Sequence, residues 1–140
     1  MSSLVIMVGL PCSGKTTIVN KEYLPKGYAI VSPDQIRISL HGRRFVAAAE
    51  SFVWGIVYVM DDSLLARGNN VVIDGCFNTN KRREPFYKYK PTYHIVTTSK
   101  ELCIKRALAA HDEYIIPVIE KMSKESEPLG ENEIFKMDWS

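Results

Sequence analysis

Leu4-Val-Ile-Met-Val8-Gly9-Leu-Pro11-Cys12-Ser13-Gly14-Lys15-Thr16-Thr17 is the stretch from which the rest of the chain is read. Five apolar residues stop at a glycine, the pattern of a strand buried on both faces. Gly9 to Thr16 then fits G-x-x-x-x-G-K-[ST], and Lys15–Glu22 reads as a helix. Strand, glycine-rich turn and helix in that order form a phosphate-binding loop. The glycines let successive N–H groups point inward at a phosphate, and the helix dipole adds to that field. Lys15 supplies a mobile positive charge for the β- and γ-phosphates, and the Thr16 hydroxyl is a magnesium ligand. Cys12 reads as a small loop filler.

Further along, Tyr28–Val31, Val71–Ile73 and Tyr93–Thr97 are short apolar runs read as strands, and Ile134–Met137 as a late edge strand. Between them lie helical stretches at Asp34–Leu40, Phe45–Arg67, Lys100–Ala110 and Ile115–Lys124. In the long helix, Phe45, Ala49, Phe52, Ile56, Met60 and Leu64 recur every three or four residues and are expected on one buried face. Phe52 and Trp54 are read as core. Strands alternating with helices predict an α/β fold, with a parallel sheet covered by helices on both faces. Ligands of such folds bind beyond the carboxyl ends of the strands. Gly9, Asp34 and Asp74 all lie there.

The 140 residues suit one domain, residues 1–140, and 46% hydrophobic with 24% charged residues excludes disorder throughout the chain. The longest apolar run, Phe52 to Met60, is too short to span a bilayer, so no membrane partner is expected. No basic region precedes Leu4–Leu10, as a signal peptide would require. Three cysteines without C-x-x-C spacing suit a reducing cytosol, and the expected location is cytoplasmic. His41, His94 and His111 are too scattered to be a metal set. Net charge is +2, yet Lys81 to Lys90 carries five cations against one anion. That segment interleaves cations with Phe86, Tyr87 and Tyr89, a composition suited to stacking bases and tracking phosphates. Packing of these aromatics into the core is the alternative, and Pro85 would start or break a helix there.

Asp74, at the end of Val71–Ile73, reads as the carboxylate that helps hold magnesium. The next residue is Gly75 rather than a glutamate, so the usual water-activating acid is missing. Neither D-x-x-G nor N-K-x-D occurs, which disfavours a GTP-driven switch. Asp34-Gln-Ile-Arg37 follows the second strand. Asp34 is placed to accept the proton of an attacking hydroxyl, and Arg37 to grip an acceptor phosphate; helix capping by Asp34 is compatible with both.

G-L-P-C-S-G-K-T-T, S-P-D-Q-I-R and V-V-I-D-G-C-F-N-T-N-K-R-R together resemble the kinase domain of phage-type polynucleotide 5′-hydroxyl kinases, in the zeta-toxin-like, AAA-type P-loop kinase group. The likeness runs from Leu4 to Lys124. It implies a P-loop fold with a small helical lid and transfer of the γ-phosphoryl of ATP, with Mg2+, to a polynucleotide 5′-hydroxyl, single-stranded or presented at an end. On that likeness Gly9, Pro11, Cys12, Ser13, Gly14, Lys15, Thr16, Thr17 and Arg106 serve the nucleotide. Lys15, Asp34 and Arg37 are catalytic, with Asp34 as general base. Asp34, Arg37, Asp74, Asn78, Arg82 and Arg83 meet the acceptor, and Thr16 and Asp74 the metal. The family's second lid arginine is absent: Ala109, Ala110 and His111 occupy its place, leaving His111, Arg82, Arg83 or a different acceptor to make up the loss. The rival readings are a small-molecule or modified-nucleobase hydroxyl kinase, and a nucleotide-binding module or slow ATPase with no acceptor.

Overall fold

A computed structural model describes residues 2–42, 45–133 and 137–139. Its centre is β1 (Leu4–Val8), all five residues buried. β1 lies between β3 (Val71–Ile73) and β4 (Thr92–Ile95), with β2 (Ala29–Val31) outside β3 and β5 (Met137–Trp139) outside β4. Every ladder is parallel, registering Leu4 and Ala29 with Val71, Val5 with Thr92, and Tyr93 with Met137. Of the expected late strand Ile134–Met137, Met137 lies in β5; residues 134–136 lie outside the described residues.

A strand buried on both faces needs apolar side chains pointing both ways, and β1 supplies them alternately. Leu4, Ile6 and Val8 join Trp54, Val57, Phe77 and Phe86 on one face. Val5 and Met7 join Val19, Tyr23 and Val72 on the other. A smaller cluster of Cys103, Ala107 and Ile119 unites α5 (Lys100–Ala109) with α6 (Ile116–Glu125), which has proline in its first turn. Leu10 and Cys12 of the phosphate loop pack against that cluster. Helices therefore cover both faces, and the α5–α6 pair leans on the loop as the expected small lid.

The long helix departs from expectation. α3 runs Glu50–Ala66, preceded by a 3-10 turn at Ala47–Ala49. Its buried face is Val53, Trp54, Val57 and Asp61, whereas Phe45 and Phe52 are 64% and 63% exposed. The expected stripe is rotated because the helix is apolar nearly all round from Phe52 to Met60, so two stripes fit the same spacing. No helix among the described residues is long and apolar enough to cross a membrane.

Asp61 is fully buried in that face, and neither carboxylate oxygen has a hydrogen-bond partner among the described residues. Burial pushes its carboxyl from an ordinary 3.8 up to about 7. The folded chain thus holds a proton that the unfolded chain releases near pH 4. Stability falls as pH rises from about 4 to 7, and above 7 the penalty is complete, on the order of 4 kcal/mol. Asp61→Asn is expected to raise the melting temperature at pH 8 by several degrees and by much less at pH 4; thermal melts across that range check it.

Candidate active site

The phosphate loop leaves β1 at Gly9 and enters α1 (Lys15–Ile18) at Gly14. A Cβ on Gly9 would lie 3.0 Å from Ser13 Oγ and 3.1 Å from the Val96 carbonyl, so a side chain there would push the loop and its neighbour apart by a few tenths of an ångström. Gly14 has φ +100°, where a side chain is strained. Cys12 also takes a left-handed φ, +64°, and its half-buried side chain packs toward Cys103 as the filler expected of it. The Gly9 amide donates to the Cys76 carbonyl at 3.1 Å, and Thr98 Oγ1 donates to the Ser13 carbonyl at 2.8 Å. Pro11 is half-buried, Ser13 is buried, and Thr17 is exposed on α1.

Lys15 is buried, its Nζ donating to the carbonyls of Gly9 (3.1 Å) and Leu10 (2.5 Å) and to Ser13 Oγ (3.4 Å). Thr16 Oγ1 donates to Asp74 Oδ2 at 2.7 Å, the pairing expected of two metal ligands. Burial pushes the Asp74 carboxyl up; the Thr16 hydroxyl and Lys15 ammonium oppose this, and the charge of Asp34 adds to it. Cys76, two residues on, feels the same charges: burial raises its thiol, Lys15 lowers it and Asp34 raises it again. Asp34, Asp74, Cys76 and Lys15 therefore share one electrostatic site. The cause is topological. Asp34 follows β2, Asp74 follows β3 and the loop follows β1, three neighbouring strands, and the Asp74 amide bonds the Val31 carbonyl at 2.9 Å.

Asp34 opens α2 (Pro33–His41), but Ser32 is the cap, its Oγ accepting from the Gln35 amide at 3.2 Å. The Asp34 side chain is left 65% exposed, facing outward with one bond among the described residues, from Arg37 Nη1 at 2.8 Å. Arg37 is more heavily committed. Its Nε and Nη2 form a two-pronged pair with Glu50, at 2.9 and 2.7 Å. The bond from Arg37 holds the Glu50 carboxyl below its ordinary range. Sequence reasoning passed over Glu50, thirteen residues from Arg37 and in another helix; a first-turn acid gave no signal beyond favouring the helix dipole.

The remaining residues divide sharply. Asn78 Nδ2 donates to the Gly9 carbonyl at 3.3 Å, bracing the loop. Arg106 Nη1, on α5, donates to the Cys12 carbonyl at 3.2 Å, so the expected lid arginine does lie over the loop. α5 ends at Ala109, and His111 follows, exposed with φ +55°. Arg82, on α4 (Asn80–Arg83), lies with its guanidinium carbon 3.9 Å from the Trp54 ring centroid. Arg83 corrects the sequence reading. It is fully buried, paired to Glu133 at 2.5 Å, and donates to the carbonyls of Phe77, Glu127 and Pro128 and to Asn80 Oδ1. Sealed from solvent and held by these bonds, it cannot reach an acceptor, so its role is architectural. Phe86 is likewise core, with no exposure, and the Tyr89 hydroxyl donates to Asp62 at 2.6 Å, so neither is a stacking platform.

Among solved structures, the chain resembles the Pnkp1/Rnl/Hen1 RNA repair complex at 17% identity and TM-score 0.69, covering 90% of this chain and 46% of that one. A gluconokinase from Sinorhizobium meliloti gives 17% identity and TM-score 0.67, covering 99% and 81%. Kti12 of Chaetomium thermophilum, in complex with ADP-AlF3, gives 17% identity and TM-score 0.70, covering 98% and 88%. The chain thus spans less than half of the repair-complex chain. A search of curated proteins finds no match. A family model described as an AAA domain matches residues 4–114, from the first residue of β1 through the lid helix that carries Arg106. Together with the parallel sheet and its phosphate loop, that match makes the chain a member of the AAA domain family with a P-loop kinase fold.

Proposed function

We propose that the protein is an ATP-dependent phosphotransferase that moves the γ-phosphoryl to a hydroxyl, and that this hydroxyl is the 5′-hydroxyl of a polynucleotide. One observation carries the reading. Three adjacent strand ends set an exposed carboxylate, Asp34, beside Asp74 and the buried Lys15. Asp34 is open to an incoming alcohol and accepts its proton, while Gly75 leaves no acid next to Asp74 to activate water. The loop amides, Lys15 and Arg106 position the triphosphate. Thr16 and Asp74 fit Mg2+: both are hard oxygen donors, already 2.7 Å apart, and a dication favours the ionised Asp74 that burial disfavours. When bound, the ion neutralises phosphate charge.

The likeness to an RNA repair complex supports a nucleic-acid acceptor. A small-molecule polyol is the second reading, favoured by the two-pronged hold of Glu50 on Arg37 and by the likeness to a gluconokinase. Transfer of labelled phosphate from ATP to 5′-hydroxyl oligonucleotides, nucleosides and sugars decides between them. Labelled oligonucleotide is the expected product. Labelled sugar alone would favour the second reading, and ATP hydrolysis indifferent to any acceptor would defeat both.

A further inference from the structure

Among the described residues the outward face of α3 is uncovered. Val53, Trp54, Val57 and Asp61 turn one side of this helix to the core. At about 3.6 residues per turn, Phe52, Gly55, Val59, Ser63 and Ala66 fall on the opposite side, and all five are exposed. Phe52 and Val59 are 63% and 69% exposed, and Phe45, just ahead of the helix, is 64%. Single exposed apolar residues are ordinary, but these follow one another along one stripe.

The chemistry of the stripe limits what can cover it. Of the exposed residues from Ser51 to Ala66, only Asp62 is ionised, and it is an anion. Nucleic acid and an anionic membrane are therefore poor fits. Gly55 lies in the helix interior, where glycine costs stability relative to alanine. A Cβ there would meet no packing neighbour within 4 Å, so nothing around it in the fold requires the glycine. What its missing side chain allows is a close approach to the α3 backbone from outside.

The face is also complementary to itself. Two α3 helices packed antiparallel, about a two-fold axis between Gly55 and Ile56, set Phe52 beside the partner's Val59, Ile56 over the partner's Gly55 and Asp62 beside the partner's Ala49. Large side chains meet smaller ones and no charge faces a charge. A parallel pair would set Gly55 on glycine and Asp62 on aspartate, leaving a gap and a repulsion. A phenylalanine offers about 150–250 Å2, so Phe45, Phe52 and Val59 together leave on the order of 350 Å2 uncovered. Buried on both copies with the flanking Ser51, Ile56, Asp62 and Ser63, this reaches roughly 1,200 Å2, the lower end of specific interfaces.

We propose that the outer face of α3 is a dimer interface, occupied by a second copy of this chain in antiparallel register. Glu50, which holds Arg37, lies on the other side of the helix, so the dimer stands apart from the kinase reading.

Sedimentation equilibrium from micromolar to millimolar chain is expected to show a concentration-dependent species of twice 15.9 kDa. Phe52→Glu and Val59→Lys each bury an unpaired charge in the contact twice, and each is expected to weaken association by at least about tenfold. Both positions are exposed in the single chain, and circular dichroism with thermal melts confirms that the variants fold. Mixed in equal amounts, the two variants are expected to associate with each other, since the new carboxylate and the new ammonium then meet while one Phe52–Val59 contact stays intact. Gly55→Leu is expected to abolish association while raising the melting temperature of the dilute single chain. A single 15.9 kDa species up to millimolar concentration overturns the proposal. So does a dimer that Phe52→Glu and Gly55→Leu leave intact, or a mixture of the two charge variants that stays monomeric.

Discussion

Asp34→Asn is expected to cut phosphoryl transfer by roughly 10²–10⁴ while leaving ATP affinity nearly unchanged. The split follows from position. Among the described residues Asp34 bonds only to Arg37, and it is 65% exposed, so its loss disturbs no packing. It contributes nothing to the loop, whose contacts come from Lys15, Asn78, Thr98 and Arg106. An amide in its place keeps the volume and can still accept from Arg37, but it cannot take a proton. Arg37 also stays anchored, because Glu50 holds two of its nitrogens. Single-turnover transfer and ATP titration on the same variant separate the two quantities. Near-full transfer in Asp34→Asn would show that the hydroxyl loses its proton elsewhere.

Lys15→Ala is expected to lower turnover further, by about 10³-fold or more, with a loss of nucleotide affinity. Its ammonium is buried inside the loop, so its charge acts on a bound phosphate with little screening by water. The three acceptors it now holds are two loop carbonyls and Ser13 Oγ. It must exchange some of these for phosphate oxygens, and alanine can do neither. Lys15→Arg is not expected to rescue activity, since a planar fork cannot occupy the space of a compact ammonium. Steady-state rates and nucleotide titrations for both variants check this.

The loop, its strand and the Thr16–Asp74 pairing were legible in the sequence because they depend on local spacing. A glycine-rich turn between a strand and a helix admits few backbone paths, and a strand ending in Asp beside it completes the pairing. Arg82 and Arg83 show where local reading stops. They are consecutive, of one residue type and in one short helix, yet one lies over Trp54 and the other is sealed against Glu133. The difference is set by a glutamate fifty residues later in the chain. The partnership of Glu50 with Arg37 escaped for the same reason: it depends on how α2 and α3 pack. In α3 the failure was degeneracy, since an apolar helix offers more than one face to a core.

Arg83 also bears on how the chain can be divided. Its guanidinium closes off residues 77–80 with groups from residues 127, 128 and 133, all beyond the stretch 4–114 that the family match covers. A fragment trimmed to that stretch would keep the whole phosphate loop but lose Glu133, the counter-ion of Arg83, and two of the carbonyls that Arg83 donates to. The segment after the lid thus acts as a keystone, tying residues 77–80 to groups that lie past the end of the family match.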